Sequence, residues 1–215
     1  MIEHILSSLS DPYFIIALVI GITVHEFSHA WAATMLGDPT PKLQGRLSLN
    51  PLNHMDPLGT FMLLLAGFGW GKPVQFSLHH LRNPRVDAAL IAFSGPFSNL
   101  LVALAFALPF RYAVISLEMS ASTTPVLQMM SAVIQINIIL MVFNMLPIPP
   151  LDGSKVASLF LPGDFIARYH SLRNYGTAFL LLLVVGPSIF GFSILGPYIL
   201  APALKFFWSI ILFGA

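Results

Sequence analysis

The apolar run Ile15-Ile16-Ala17-Leu18-Val19-Ile20-Gly21-Ile22-Thr23-Val24 leads directly into His25-Glu26-Phe27-Ser28-His29. Three ionisable groups within five positions of an apolar helix are costly in hydrocarbon, and a functional site is the default reading. At about 100° per residue the two histidines project roughly 40° apart and one turn along the axis, with Glu26 on the same flank. This is the H-E-x-x-H pattern, in which two imidazoles share a metal beside a carboxylate that acts as a base. Two unrelated histidines packed in the helix would each need a buried partner of its own.

The host segment, residues 13–36, is about 36 Å long as a helix and so exceeds a hydrocarbon core of about 30 Å. The whole chain agrees with a membrane setting. Of its 215 residues 56% are hydrophobic and 9% charged, with a mean hydropathy of +0.82, whereas a soluble domain carries about 25% charged residues. The net charge of +1 offers no electrostatic footprint for nucleic acid, so no nucleic-acid partner is expected. Cysteine is absent, which excludes disulfide scaffolds, thiolate metal sites and cysteine nucleophiles. Any metal must be held by His, Asp, Glu or water.

Working outward, residues 86–110 and 126–147 read as two further spans, and 175–213 is long enough for two more around Gly186-Pro187 and Gly196-Pro197. The expected fold is an all-α polytopic membrane protein of about five transmembrane helices, forming a single domain over 1–215. Residues 58–71 are apolar but too short to cross and contain Gly67, Gly69 and Gly71, which suits a re-entrant segment. Short strands are expected on either side of it, at 46–50 and 73–78, where apolar and polar residues alternate. If 58–71 does not cross, the loops 37–87 and 148–174 share a side and carry Lys42, Arg46, Lys72, Arg82, Arg85, Lys155, Arg168 and Arg173, against Arg111 opposite. The positive-inside rule then puts those loops and the C-terminus in the cytoplasm and the N-terminus outside, in the plasma membrane.

A catalytic zinc takes three protein ligands and leaves one position open for water. The third ligand must come from another part of the chain. In Asn144-Met145-Leu146-Pro147-Ile148-Pro149-Pro150-Leu151-Asp152-Gly153 the prolines break a helix and an acid follows, a pattern tolerated at membrane depth where it lines a cavity. Asp152 is therefore one candidate, with a plain helix-capping role as its alternative. His54 is the other candidate, although it sits among the turn formers Asn50, Pro51, Asn53 and Asp56.

These segments together resemble the site-2 proteases, intramembrane zinc metalloproteases, and among them the small members without a PDZ domain. The resemblance rests on His25 to His29 in an apolar helix, on Asn144, Pro147, Pro149 and Leu151-Asp152-Gly153, and on Gly95-Pro96-Phe97-Ser98-Asn99 between them. It implies one zinc ion held by His25, His29 and Asp152, with Glu26 as catalytic acid and base. It also implies that Asn144 acts on the substrate backbone or the oxyanion, and that the strands pin an unwound substrate. Asn144, Pro147 and Asn99 are then the expected substrate-facing residues, Asn99 also lying within reach of the zinc motif. Transmembrane proteins or peptides would be the substrates and the bilayer the medium, with the oligomeric state left open. Two other functions compete: a metal or ion transporter, because His and Asp within spans also build translocation paths, and a catalytically silent membrane scaffold.

Overall fold

The computed structural model describes residues 11–66, 69–116, 124–191 and 193–212 of the chain. Helix α1, Pro12–Met35, begins where Asp11 accepts the Tyr13 amide at 2.9 Å and Pro12, which has no N–H to leave unpaired, takes the first turn. It ends in a Schellman arrangement. Gly37 adopts φ +104°, its amide donates to the Thr34 carbonyl at 3.2 Å, and the Asp38 amide reaches back to Ala33 at 2.9 Å.

Apart from one-turn helices such as Thr40–Leu43, the helices that follow among the described residues are α2 (Pro57–Ala66), α3 (Pro84–Ser116), α4 (Thr124–Asn144), α5 (Asp152–Ala157), α6 (Gly163–Ser171), α7 (Arg173–Phe190) and α8 (Ala201–Leu212), the last entered through a π-helical turn at Gly196–Leu200. Helices α1, α3 and α4 pack on one another. Ala17, Val133 and Ile136 form one buried cluster, and Ala103, Ala107, Ile134, Ile138 and Ile211 a second. Alanines dominate the α1 and α3 contribution, which lets the backbones approach closely, as packing within a bilayer requires. Outward, α3 exposes Leu90, Phe93, Phe97, Leu101, Leu104 and Leu108 at three- and four-residue spacing. In water such a stripe would be a sticky patch; in hydrocarbon it meets acyl chains.

Three helices, Pro12–Met35, Pro84–Ile115 and Thr124–Asn144, are long and apolar enough to cross a membrane. The expected five spans are met to that extent, and α7 and α8 are helical where the other two were placed. The expectation of strands is corrected. Among the described residues no strand forms, and pairing is limited to a single bridge between Met55 and Gly71, beside a Lys72 amide bond to the His54 carbonyl at 2.8 Å. The physical reason lies in where the amides go: Val74 donates to Glu26 and Ser77 to Asp38, so side-chain carboxylates take the place of a neighbouring strand. Of the apolar segment 58–71, the residues to Ala66 belong to α2, ten residues and about 15 Å long, Gly67 lies outside the described residues, and Gly69 and Trp70 sit against Gly59 near the start of that helix. A Cβ on Gly59 would lie 2.1 Å from the Trp70 carbonyl oxygen, so this contact depends on glycine.

Asp38 ties the returning chain to the end of α1. Its side chain is fully buried and accepts from the Thr40 amide (3.0 Å) and hydroxyl (2.6 Å), the Ser77 amide (2.6 Å) and His80 Nδ1 (2.8 Å). Burial works against ionisation, but these donors outweigh it and hold the carboxyl below the usual carboxylate range. A depressed pKa gives stability that is present above the ordinary carboxylate pKa and is lost as pH falls through the lowered value. Asp38→Asn is accordingly expected to cost about 2 kcal/mol at neutral pH and to flatten the loss of melting temperature on acidification, as followed by thermal unfolding in detergent between pH 7 and pH 3.

Candidate metal centre

His25 and His29 face α3 from one turn of α1, and both are buried. The His29 Nδ1–H donates to the Ile91 carbonyl at 2.7 Å, and His25 Nδ1 meets Asn99 Oδ1 at 2.7 Å. With both Nδ1 atoms so engaged, both Nε2 atoms carry lone pairs. They stand 3.0 Å apart, and each is 3.1 Å from Asp152 Oδ2.

Three lone pairs converging on one point, with no proton between them, repel one another unless a cation lies at the centre. Ligands about 2.0–2.1 Å from a tetrahedral metal are separated by about 3.3 Å, so the triangle is close to the size zinc demands. Among the described residues this is the group of His, Asp and Glu side chains that can hold a metal ion. Asp152 offers only Oδ2 to the histidines; its Oδ1 lies 3.7 Å from Lys155 Nζ, which itself stands over the Phe76 ring.

The local sequence explains how Asp152 arrives. The α4 helix stops at Asn144, since Pro147, Pro149 and Pro150 supply no amide donors, and the chain turns on bonds from Ile148 to Leu146 and from Leu151 to Ile148. Tyr169 of α6 fastens this turn by donating to the Pro147 carbonyl at 2.7 Å. Helix α5 then starts at Asp152, 9% exposed, aimed at the histidines.

Glu26 lies outside the triangle. Its Oε2 accepts the Val74 amide at 3.0 Å, so the extended stretch after Gly71 runs along the carboxylate. His54, the rival ligand, does not join the cluster: it is buried, its Nε2 donates to the Ser48 carbonyl at 2.7 Å, and its Nδ1 has no partner. Its neighbours do the turn work that their types suggest, Asn50 accepting the Leu52 amide and Asp56 the Gly59 amide.

Of the residues expected to face substrate, Asn99 is found elsewhere. It is fully buried behind His25, and its Nδ2 donates to Gly21 O (3.0 Å) and Asn137 Oδ1 (2.8 Å), which leaves no group free for a peptide. Asn144 is half-buried at the end of α4, its amide nitrogen bonded to the Leu140 carbonyl at 3.0 Å. Asn137 was missed in the sequence, although an amide in the middle of an apolar helix is itself a signal.

An apolar helix that carries two imidazoles able to hold a metal and a glutamate, joined by an aspartate from a proline-broken turn, fits the class of membrane-embedded metallohydrolases. The comparisons with known proteins narrow this class. The sequence profile of peptidase family M50 matches residues 109–184, which include Asp152. YwhC of Bacillus subtilis, named as a zinc metalloprotease, is 39% identical over 196 residues, covering 90% of this chain and 86% of that protein. Rip2 of Mycobacterium tuberculosis H37Rv, named likewise, is 26% identical over 185 residues, with 80% of this chain and 66% of that protein covered. Rip2 of Mycolicibacterium smegmatis is 24% identical over 214 residues, covering 89% and 78%. No solved structure matches. The chain belongs to peptidase family M50, the site-2 proteases.

Proposed function

We propose that this chain is an intramembrane zinc endopeptidase that hydrolyses peptide bonds in or near the transmembrane segments of other proteins. The observation that carries this reading is the convergence of His25 Nε2, His29 Nε2 and Asp152 Oδ2 next to a carboxylate that does not itself belong to the triangle. His25, His29 and Asp152 would hold a zinc ion, which when bound would supply a Lewis acid for the scissile carbonyl and would lower the pKa of its water to about 7. Glu26, outside the ligand triangle, would serve as the base that accepts a proton from the attacking water and the acid that returns it to the leaving amine. Asn144, fixed by its own helix, holds the substrate backbone or donates to the developing oxyanion, and Pro147 shapes the wall beside it.

A transmembrane helix satisfies its own amides and hides its carbonyls, so the substrate must unwind before it reacts. Substrates with Gly or Pro near the scissile bond are therefore expected to be cut about tenfold faster than a poly-Leu segment of equal length, as measured in proteoliposomes. The protein spans the plasma membrane five times, with its N-terminus outside and its C-terminus cytoplasmic. His25 to His29 then lie about 10–16 Å from the cytoplasmic edge, and water reaches them from that side.

The deciding experiment reconstitutes the purified chain with a single-span substrate. Cleavage should stop on treatment with a zinc chelator and return with about one equivalent of zinc. Metal flux without cleavage would favour a transporter, although no feature of the site favours transport over hydrolysis.

A further inference from the structure

The amides behind His25 form a chain whose direction can be read link by link. Asn137, 0% exposed at the centre of α4, donates from Nδ2 to the Val133 carbonyl at 2.8 Å. A carbonyl only accepts, so Asn137 must turn Oδ1 toward Asn99. Asn99 Nδ2 then uses one N–H on Asn137 Oδ1 and the other on the Gly21 carbonyl, another pure acceptor. That leaves Asn99 Oδ1 facing His25 Nδ1 at 2.7 Å, where it too can only accept. The proton is thereby fixed on Nδ1 of His25, and the lone pair on Nε2, on the side of His29 and Asp152.

We infer that Asn137 and Asn99 are positioning residues, a two-amide relay that sets the tautomer and ring orientation of His25 for metal binding. The relay rests on the reading of the triangle as a metal centre. It passes through the meeting point of α1, α3 and α4, and the helix packing is adapted to it. Gly21 leaves room for it, since a Cβ there would stand 3.3 Å from Asn137 Oδ1 and 2.6 Å from Leu140 Cδ1. Burying an amide without partners costs several kcal/mol, and here every polar atom of both asparagines has one. His29 needs no such relay, because the Ile91 carbonyl serves it directly.

The test is zinc affinity, measured by competition with a chromophoric chelator on the full chain in detergent. Asn99→Ala should weaken binding about 10–100-fold and Asn137→Ala about tenfold. In the Asn99→Ala background, Asn137→Ala should add less than about twofold, because it acts only through Asn99. Ile134→Ala, which opens a cavity in the neighbouring apolar cluster, should lower stability and leave zinc affinity as in the native chain. Native zinc binding with unchanged affinity in both asparagine variants would overturn the relay and leave the metal centre standing. Nitrogen-15 histidine spectra of the native chain need no variant: a proton on His25 Nδ1 is expected, and one on Nε2 would overturn the proposal.

Discussion

Glu26→Gln is expected to lower peptide-bond cleavage about 10²–10⁴-fold while the purified protein keeps its zinc. The substitution is matched to the surroundings of Glu26. The glutamine carbonyl can accept the Val74 amide as Oε2 does now at 3.0 Å, so the stretch beside the site stays in place. Volume is conserved, and the three converging ligand atoms belong to other residues. What disappears is the capacity to take a proton from water. The paired readouts are the rate of cleavage of a reconstituted single-span substrate and the metal content per chain. Undiminished cleavage would remove Glu26 from the role of base, and loss of zinc together with activity would make it a ligand instead. A transporter would tolerate the change, so the same variant separates the two classes of function.

The site was more legible in the sequence than the fold around it. His25, Glu26 and His29 lie on one turn, so local geometry alone predicts their juxtaposition. Asp152 required the proline-broken turn to be read as a cavity wall, and His54 could be set aside only once its Nε2 was seen bonded to the Ser48 carbonyl. The strands expected at 46–50 and 73–78 followed the rule that alternating polarity means pairing. That rule takes no account of distant side chains, and here Glu26 and Asp38 capture the amides of Val74 and Ser77. Asn99 was placed within reach of the zinc motif, but its burial behind His25 and its link to Asn137 depend on how three helices cross. No periodicity in a single helix encodes that.

Gly95→Ala should cost the protein its zinc, with a fall in affinity of about 100-fold or more, although alanine is the better helix former of the two. Gly95 lies in α3 opposite the two imidazoles. A Cβ there would stand 2.5 Å from both Cε1 and Nε2 of His29 and 2.7 Å from His25 Cε1, closer than carbon atoms tolerate. Relief would have to come from the rings or from α3. The rings cannot swing without leaving Asn99 and the Ile91 carbonyl, which fix their Nδ1 atoms at 2.7 Å each. Helix α3 cannot retreat without opening its packing against α1 and α4, where Ala103, Ala107, Ile134 and Ile138 are buried. The path of least cost is loss of convergence, since metal affinity depends on angstrom-scale alignment whereas the apolar packing depends on volume. The expected result is therefore a folded protein whose melting temperature without metal is close to native, yet which gains little or no thermal stability on adding zinc. Native zinc affinity in Gly95→Ala would mean that α3 stands farther from the imidazoles than these distances state.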